Sequence, residues 1–135
     1  MSNSVRTIVV FESRPRWEPE LQRQFRNESV LVRGSRTFGE LSAFAFPPIA
    51  DVLIIDLPEE LTECLQWLSK LVAPPQVPPM IVLCSSEAID LEWTLRDVGV
   101  REVLVGSLSG EQLARTCRRL ISKSARWTTL VVRRQ

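Results

Sequence analysis

The sequence predicts an α/β domain in which helices cover both faces of a parallel sheet. Short β-branched runs alternate with segments of helical periodicity five times along the chain, and this alternation is typical of βα units. The predicted strands are continuous apolar runs, as expected for strands that are buried on both faces. With 135 residues, the chain has the size of one domain.

Two strands and two helices are predicted before residue 50. The first strand covers residues 7–11, and Pro15 then begins a helix whose apolar residues recur every four positions, at Trp17, Leu21 and Phe25. A second strand covers residues 30–32, and the turn-forming pair Gly34 and Ser35 is expected to end it. The second helix is indicated by apolar residues at helical spacing before two prolines at 47 and 48: Phe38, Leu41, Phe44 and Ala45.

Three further strands and three helices complete the five units. The strands are predicted over residues 51–56, 80–84 and 103–105, each of which is a short apolar run. The helices begin at Pro58, at Ser85 or Ser86, and at Ser109, which forms a capping box with Gln112. Their apolar faces consist of Leu61, Cys64, Leu65, Leu68 and Leu71, then Leu91, Leu95 and Val98, then Leu113, Cys117, Leu120 and Ile121.

The predicted organisation is one domain over residues 1–123 followed by a basic tail over residues 124–135. Residues 127–132 have strand propensity, although five βα units are already complete before them. This segment is expected to form either an extra C-terminal edge strand or a linker stub, and the sequence leaves both alternatives open.

The composition excludes several classes of protein. The chain has no histidine, which removes the commonest general base and metal ligand and so excludes triad hydrolases and most zinc sites. Cys64, Cys84 and Cys117 form no CxxC pair, and we expect buried free thiols in a reducing compartment. No apolar run is long enough to span a bilayer and no secretory signal is recognisable, so the expected location is the cytoplasm.

Positive charge is concentrated at the C-terminal end, although the formal net charge is only +1. All 16 acidic residues lie at or before Glu111. Such a basic segment can meet an acidic protein, a membrane surface or nucleic acid, but a solvated helix face is the simpler explanation. No interleaving of aromatic and glycine residues supports contact with nucleic acid. The basic residues after Glu111 are Arg115, Arg118, Arg119, Lys123, Arg126, Arg133 and Arg134.

A candidate site lies where two predicted strands end. Asp56 follows four aliphatic residues, and Glu12 follows the first strand. Ligands of open α/β sheets bind at the carboxyl edge of the strands. Asp56 could instead accept backbone N–H bonds as a turn or helix cap, and Glu12 could pair with Arg14 or Arg36 at the rim.

These features resemble the receiver domains of bacterial response regulators, which have a flavodoxin-like fold with strand order 2-1-3-4-5. The resemblance covers roughly residues 6–122, and its most specific parts are residues 51–58, 79–85 and 99–113. In that family an aspartate at the position of Asp56 accepts a phosphoryl group and an acid pair holds Mg²⁺. A Ser or Thr and a Lys bind the phosphate.

The pocket departs from the family pattern at most positions. The phosphoacceptor and the first acid are matched, but a serine replaces the second acid, a cysteine replaces the Ser or Thr, and a glycine replaces the lysine. These replacements predict a pseudo-receiver that binds no cofactor and no metal. The residues at the pocket positions are Glu12, Ser13, Asp56, Cys84, Ser85 and Gly106.

The resemblance therefore implies a non-enzymatic signal-transduction or scaffold module in two-component signalling. The alternative is a phosphoacceptor receiver that uses Asp56, with Mg²⁺ at Glu12 and Asp56. A small-ligand site at the same strand ends is a third hypothesis, although no GxGxxG or GxxxxGK[ST] motif is present. Residues 106–110 could hold an anion at the start of the last helix, but their Ser and Gly residues are better explained as capping.

The resemblance also implies a protein partner, with a second copy of the chain included. Receiver domains commonly dock partners through the fourth helix, the fifth strand and the fifth helix, and the candidates on this face are Trp93, Arg115, Arg118 and Arg119. Trp67 and Trp93 lie off the main apolar stripes, so partial exposure is expected for both.

Overall fold

The fold is a three-layer α/β/α sandwich built on one parallel sheet. The computed structural model describes residues 5–45, 50–57, 61–70, 78–97 and 100–134, and for residues 123–134 it describes the backbone. All strand pairs are parallel, and the strand order is β2-β1-β3-β4-β5. This order confirms the predicted fold class. The strands are β1 Arg6–Phe11, β2 Val30–Ser35, β3 Val52–Asp56, β4 Met80–Cys84 and β5 Glu102–Val105.

The described residues contain five α-helices, which connect and extend the strands. The first begins two residues after Pro15, where its start was predicted, and the fourth is preceded by a 3₁₀ helix over Ser86–Leu91. The predicted breakers at 47, 48, 58 and 99 lie outside the described residues. The helices are α1 Trp17–Gln24, α2 Phe38–Ala45, α3 Leu61–Ser69, α4 Glu92–Asp97 and α5 Gly110–Arg134.

Two apolar clusters lie on opposite faces of the sheet. On one face α1 and α5 cover the sheet through residues such as Leu21 and Leu113. On the other face α2, α3 and α4 contribute residues such as Leu41, Leu68 and Leu95. Burial of both faces explains why the strands are continuous apolar runs in the sequence.

The second strand is longer than predicted, and the expectation that Gly34 and Ser35 end it is wrong. Both residues pair with β1, opposite Val10 and Phe11. Glu18 of α1 packs so closely on Gly34 that a Cβ there would overlap its carboxylate group unless that side chain moved. Glycine at this position leaves room for the end of the Glu18 side chain within the strand, and it does not form a turn.

The C-terminal segment is helical, so of the two alternatives left open for it the edge strand is wrong. Residues 127–132 lie within α5, which runs to Arg134, and the described sheet has five strands. The apolar positions 113, 117, 120, 127 and 131 keep the spacing of one helix face through this segment. The continuation of a formed helix thus outweighs the strand propensity of the threonines and valines.

Trp67 is buried rather than partly exposed as predicted, with 9% of its surface accessible. Its indole Nε1 donates a hydrogen bond to Ser42 Oγ of α2 at 2.6 Å. Its ring lies 5.6 Å from that of Phe38, which stacks on Phe11. Trp67 is buried because Phe38 and Ser42 of α2, which are distant in the sequence, pack against it.

Candidate functional site

The candidate site is the crevice at the carboxyl ends of β1 and β3. Phe11 pairs with Ile55, so the residues that follow them, Glu12 and Asp56, lie side by side at the sheet edge. The helices after these two strands cover opposite faces of the sheet, which makes this point the topological switch of the fold. The structure thus brings together the two carboxylates that the sequence singled out.

Glu12 caps helix α1. Only 4% of its surface is exposed, and its two carboxylate oxygens accept hydrogen bonds from the backbone N–H groups of Trp17 at 2.9 Å and Glu18 at 3.0 Å. These N–H groups belong to the first turn, where a helix has no internal acceptors, and a negative charge there is favoured by the helix dipole. Among the described residues Glu12 forms no ion pair with Arg14 or Arg36, the pairing that the sequence left open.

Asp56 is half-buried at the end of β3. Burial raises the pKa of its carboxyl above the ordinary value, and the neighbouring charge of Glu12 raises it further, while Arg16 acts in the opposite direction. The positive charge that reaches this site therefore comes from Arg16, in the loop before α1.

Sequence reasoning missed Arg16. Its guanidinium carbon lies 4.5 Å from the centre of the Trp17 ring, which holds the side chain beside the crevice. Its position in the sequence could have revealed it, because a residue in the loop after β1 must lie at the carboxyl edge of the sheet.

The remaining pocket positions offer little to an anion or a metal. Ser13 and Ser85 are exposed, and Cys84 is buried. Gly106 has a φ of 87°, and its N–H donates to the carbonyl of Cys84 at 3.0 Å. Open space surrounds the site of a Cβ on Gly106, so the obstacle to a larger residue there is backbone conformation rather than a clash. Within the described residues, no three metal-ligating side chains converge.

The three cysteines are buried and free, as predicted. Burial raises the pKa of the Cys64 thiol to about 11 and that of the Cys117 thiol to about 12. The pKa of Cys84 is raised for the same reason. These groups are thiols at neutral pH, and thiols are poor nucleophiles and metal ligands.

A cleft of about 380 Å³ lies next to the site, between the ends of β1 and β2 rather than over Asp56. Glu40, on its wall, accepts hydrogen bonds from the N–H groups of Arg36 and Thr37, and Thr37 Oγ1 accepts one from the N–H of Glu40. This capping box was readable in the sequence as Thr37-x-x-Glu40. The lining residues are Glu12, Pro15, Glu18, Gly34, Ser35, Arg36, Thr37 and Glu40.

Residues 106–110, which the sequence suggested either as an anion-binding site or as capping residues, cap helix α5. The capping box is confirmed, because Ser109 and Gln112 exchange hydrogen bonds of 2.9 and 3.1 Å. The carboxylate of Glu20 also reaches this turn, since a Cβ on Gly110 would overlap it. The start of α5 therefore already faces a negative charge.

The candidate docking residues fall into two groups. Trp93 projects from α4 with 79% of its surface exposed. The three arginines instead form ion pairs within the chain, and two of these pairs fasten α5 to other elements. Arg118 lies 2.7 Å from Glu28 and stacks 4.7 Å from the Phe25 ring centre, Arg119 pairs with Glu102, and Arg115 lies 3.4 Å from Glu111 on the same helix.

Comparisons with solved structures identify the fold. The chemotaxis response regulator CheY4 of Vibrio cholerae superposes with a TM-score of 0.70 at 16% identity, over 87% of this chain and 99% of that one. The N-terminal receiver domain of a response regulator from Bacteroides fragilis gives 0.71 at 19% identity, over 87% and 98%. A redox sensor of the streptococci, from a family evolved from two-component response regulators, gives 0.75 at 12% identity, over 92% of this chain and 54% of that one.

These similarities show a flavodoxin-like fold of the response-regulator receiver type. No protein-family model and no curated protein matches the sequence. No helix in the described part of the chain is both long and apolar enough to cross a membrane.

Proposed function

We propose that this domain is a non-enzymatic signal-transduction or scaffold module whose receiver-like pocket works without aspartyl phosphate. The observation that carries the proposal is the use of Glu12 as a helix cap. Both of its carboxylate oxygens accept backbone N–H groups of α1. In a phosphorylatable receiver the equivalent acid helps to hold Mg²⁺, and here it holds the polypeptide chain instead.

The pocket does not fit a divalent cation. Mg²⁺ requires oxygen ligands in near-octahedral geometry, and it dehydrates reluctantly. Each carboxylate oxygen of Glu12 already accepts a hydrogen bond from an N–H group that has no acceptor within α1, which fixes the carboxylate and leaves it fewer lone pairs for a metal ion. Ser13 replaces the second acid, and the charge of Arg16 acts on Asp56 from the same loop. With both oxygens of Glu12 bonded to α1, Asp56 beside an arginine is a weak site for a doubly charged ion.

The pocket is equally poor for a phosphoryl group on Asp56. Gly106 provides no cation at the end of β5, and its left-handed φ shows that the loop has a shape that suits glycine rather than lysine. Cys84 is buried and its sulfur is a weak hydrogen-bond donor. A phosphorylated Asp56 would lack the charge-assisted hydrogen bond of a lysine, which contributes about 1.5–3 kcal/mol.

The module would then signal through protein contacts that do not depend on phosphate. Its setting would be two-component signalling in the cytoplasm of a bacterium, where a receiver-shaped surface can engage the same kinds of partner. Because Arg118 and Arg119 are engaged in ion pairs that fasten α5, Trp93 is the strongest candidate contact on the face that receivers commonly use.

The test is a titration with Mg²⁺ and beryllium fluoride, which mimics a phosphoryl group on aspartate. Amide resonances of Asp56 and Gly106 and the fluorescence of Trp17, which lies at the site, report binding. We expect no saturable change in the wild type beyond that seen in Asp56→Asn. A saturable, Mg²⁺-dependent change that Asp56→Asn abolishes would instead support the phosphoacceptor alternative.

A further inference from the structure

The outer edge of β2 presents backbone groups that another strand can pair with. The carbonyl of Ser35 accepts a hydrogen bond from the N–H of Glu12 at 3.2 Å, so the backbone of Ser35 points toward β1. Residues of a parallel strand pair with their neighbours alternately on one side and the other, so the N–H and C=O groups of Val32 and Gly34 point away from β1. Since β2 is the terminal strand of the described sheet, these groups lie on its outer edge.

A glutamine of α1 occupies part of this edge. Gln22 Nε2 donates a hydrogen bond of 3.3 Å to the carbonyl of Val32, which is the group that would accept an N–H from an added strand. The same amide donates a second hydrogen bond of 3.4 Å to Glu18. Both hydrogen bonds are long, and the side chain of Gln22 is exposed, so an incoming strand can displace it at small cost.

The outer edge of β2 leads into the cleft of about 380 Å³ described above. Gly34 is exposed and forms part of the wall of the cleft, and Arg36 and Thr37 continue the wall past the end of the strand. A strand that pairs with Val32 and Gly34 therefore brings its next side chains to the mouth of the cleft.

The cleft favours a positively charged side chain, because three glutamates line it against one arginine, Arg36. Glu12 and Glu40 accept backbone N–H groups, which offset part of their charge. Glu18 differs from them, since it forms no ion pair among the described residues. Its carboxylate lies against Gly34, so it places a negative charge directly beside the strand edge.

A second copy of the chain supplies the wrong charge for this cleft. A two-fold dimer through this edge pairs two β2 strands antiparallel, which brings the start of one β2 next to the cleft of the other. The start of β2 follows Glu28, an acid that already pairs with Arg118 of its own chain. A small free cation could enter the cleft, but it would leave the backbone groups of Val32 and Gly34 unused. An extended segment with a basic side chain matches both features.

We infer that an extended segment of a partner protein adds to the outer edge of β2 as a further strand and places a lysine or arginine side chain in the cleft. Backbone hydrogen bonds to Val32 and Gly34 supply affinity, and the ion pair with Glu18 supplies specificity. The contact uses neither Asp56 nor Trp93, so it holds or fails independently of the proposed function.

The experiment titrates the full chain with a peptide and follows its amide resonances. The probe is the end-capped peptide Arg-Thr-Val-Thr-Val-Thr-Arg, which brings an arginine to the cleft in either strand direction. We expect saturable shifts and slower hydrogen exchange at the N–H groups of Val32 and Gly34. The N–H groups of Leu31 and Arg33, which point toward β1, should change less, and that of Asp56 should not change.

Two altered peptides test the two halves of the contact separately. Methylation of two successive central backbone nitrogens removes a donor from each edge of the peptide, so it should weaken binding about tenfold or more. Replacing both arginines with citrulline keeps the shape of the side chains and removes their charge. This peptide should still bind to β2, about threefold more weakly.

Three variants of the chain complete the test. Glu18→Gln should weaken binding of the arginine peptide about threefold and leave binding of the citrulline peptide unchanged, because it removes only the charge pair. Gln22→Ala frees the carbonyl of Val32 and should strengthen binding of both peptides, a gain that misfolding cannot produce. The matched control is Glu63→Gln, which removes an exposed acid of α3 and should alter neither affinity.

Four results would overturn the inference. The first is the absence of saturable binding at millimolar peptide, and the second is binding that leaves the N–H groups of Val32 and Gly34 unchanged. The third is binding that survives backbone methylation or is equally strong in Glu18→Gln. The fourth is a peptide-free chain that sediments as a dimer and already protects Val32 and Gly34 from exchange, because a second copy would then occupy the edge.

Discussion

Removing the carboxylate of Glu12 should destabilise the protein strongly, because two backbone N–H groups lose a charged acceptor. Hydrogen bonds to charged groups contribute about 1.5–3 kcal/mol each, and loss of a helix cap alone costs about 0.5–2 kcal/mol. Water that enters the space left by Glu12→Ala would bind these N–H groups and recover part of the lost stability. We therefore expect the free energy of unfolding to fall by about 2–4 kcal/mol. For a domain of this size each kcal/mol lowers Tm by about 4 °C, which gives roughly 8–16 °C. Glu12→Gln keeps one acceptor oxygen and should lose about half as much.

The sign of this effect separates a cap from a metal-site acid. Glu12 also lies close enough to Asp56 to raise the pKa of that carboxyl. An acid kept only to hold a metal would repel Asp56 in metal-free buffer, so its removal would stabilise the protein. Thermal unfolding in the presence of a chelator distinguishes the two, with Glu111→Ala as the control for an exposed acid in the first turn of a helix. An unchanged or raised Tm for Glu12→Gln would refute the assignment of Glu12 as a cap.

Three further substitutions test neighbouring parts of the account. Gly106→Lys places a non-glycine residue at a φ of 87°, so it should cost about 1–2 kcal/mol in chemical denaturation and confer no response to Mg²⁺. Asp56→Asn should raise Tm at pH 7, because the pKa of Asp56 is raised by folding; the gain should vanish below the ordinary pKa of aspartate, where the carboxyl is neutral in both states. Arg118→Ala breaks the link from α5 to Glu28 and should lower Tm clearly more than Arg115→Ala, whose ion pair is exposed and local to one helix.

The order of strands and helices could be predicted because it depends on local periodicity and capping. Continuous apolar runs marked the strands, and the capping box at Ser109 and Gln112 marked the start of α5 correctly. The extent of α5 was harder to predict, since the threonines and valines of residues 127–132 favour a strand in isolation. Their helical conformation depends on the helix that precedes them.

The position of the site could be predicted from the sequence, but the roles of its residues could not. Adjacency of Glu12 and Asp56 follows from strand order and register. The capping role of Glu12 depends on how the loop over residues 13–16 turns back, which brings the start of α1 onto the carboxylate. Such a loop conformation leaves no periodic pattern in the sequence. The same loop places Arg16 at the crevice. The pocket positions taken from the family resemblance include no basic residue, so they predict no positive charge there.

Under the proposed function, the capping role of Glu12 would explain why a receiver-shaped domain without phosphate chemistry has a carboxylate pair. In this chain Glu12 stabilises α1, and α1 packs Trp17 and Leu21 into one of the two cores. Loss of Glu12 would therefore affect folding as well as the pocket.

The most direct test of the central claim is phosphoryl transfer itself. The full chain is incubated with acetyl phosphate and Mg²⁺, beside an active receiver domain as a positive control, and each intact mass is measured. We predict that the wild type, like Asp56→Asn, gains no phosphoryl group while the control protein does. A phosphoryl adduct that maps to Asp56 in the wild type and is absent from Asp56→Asn would contradict the account.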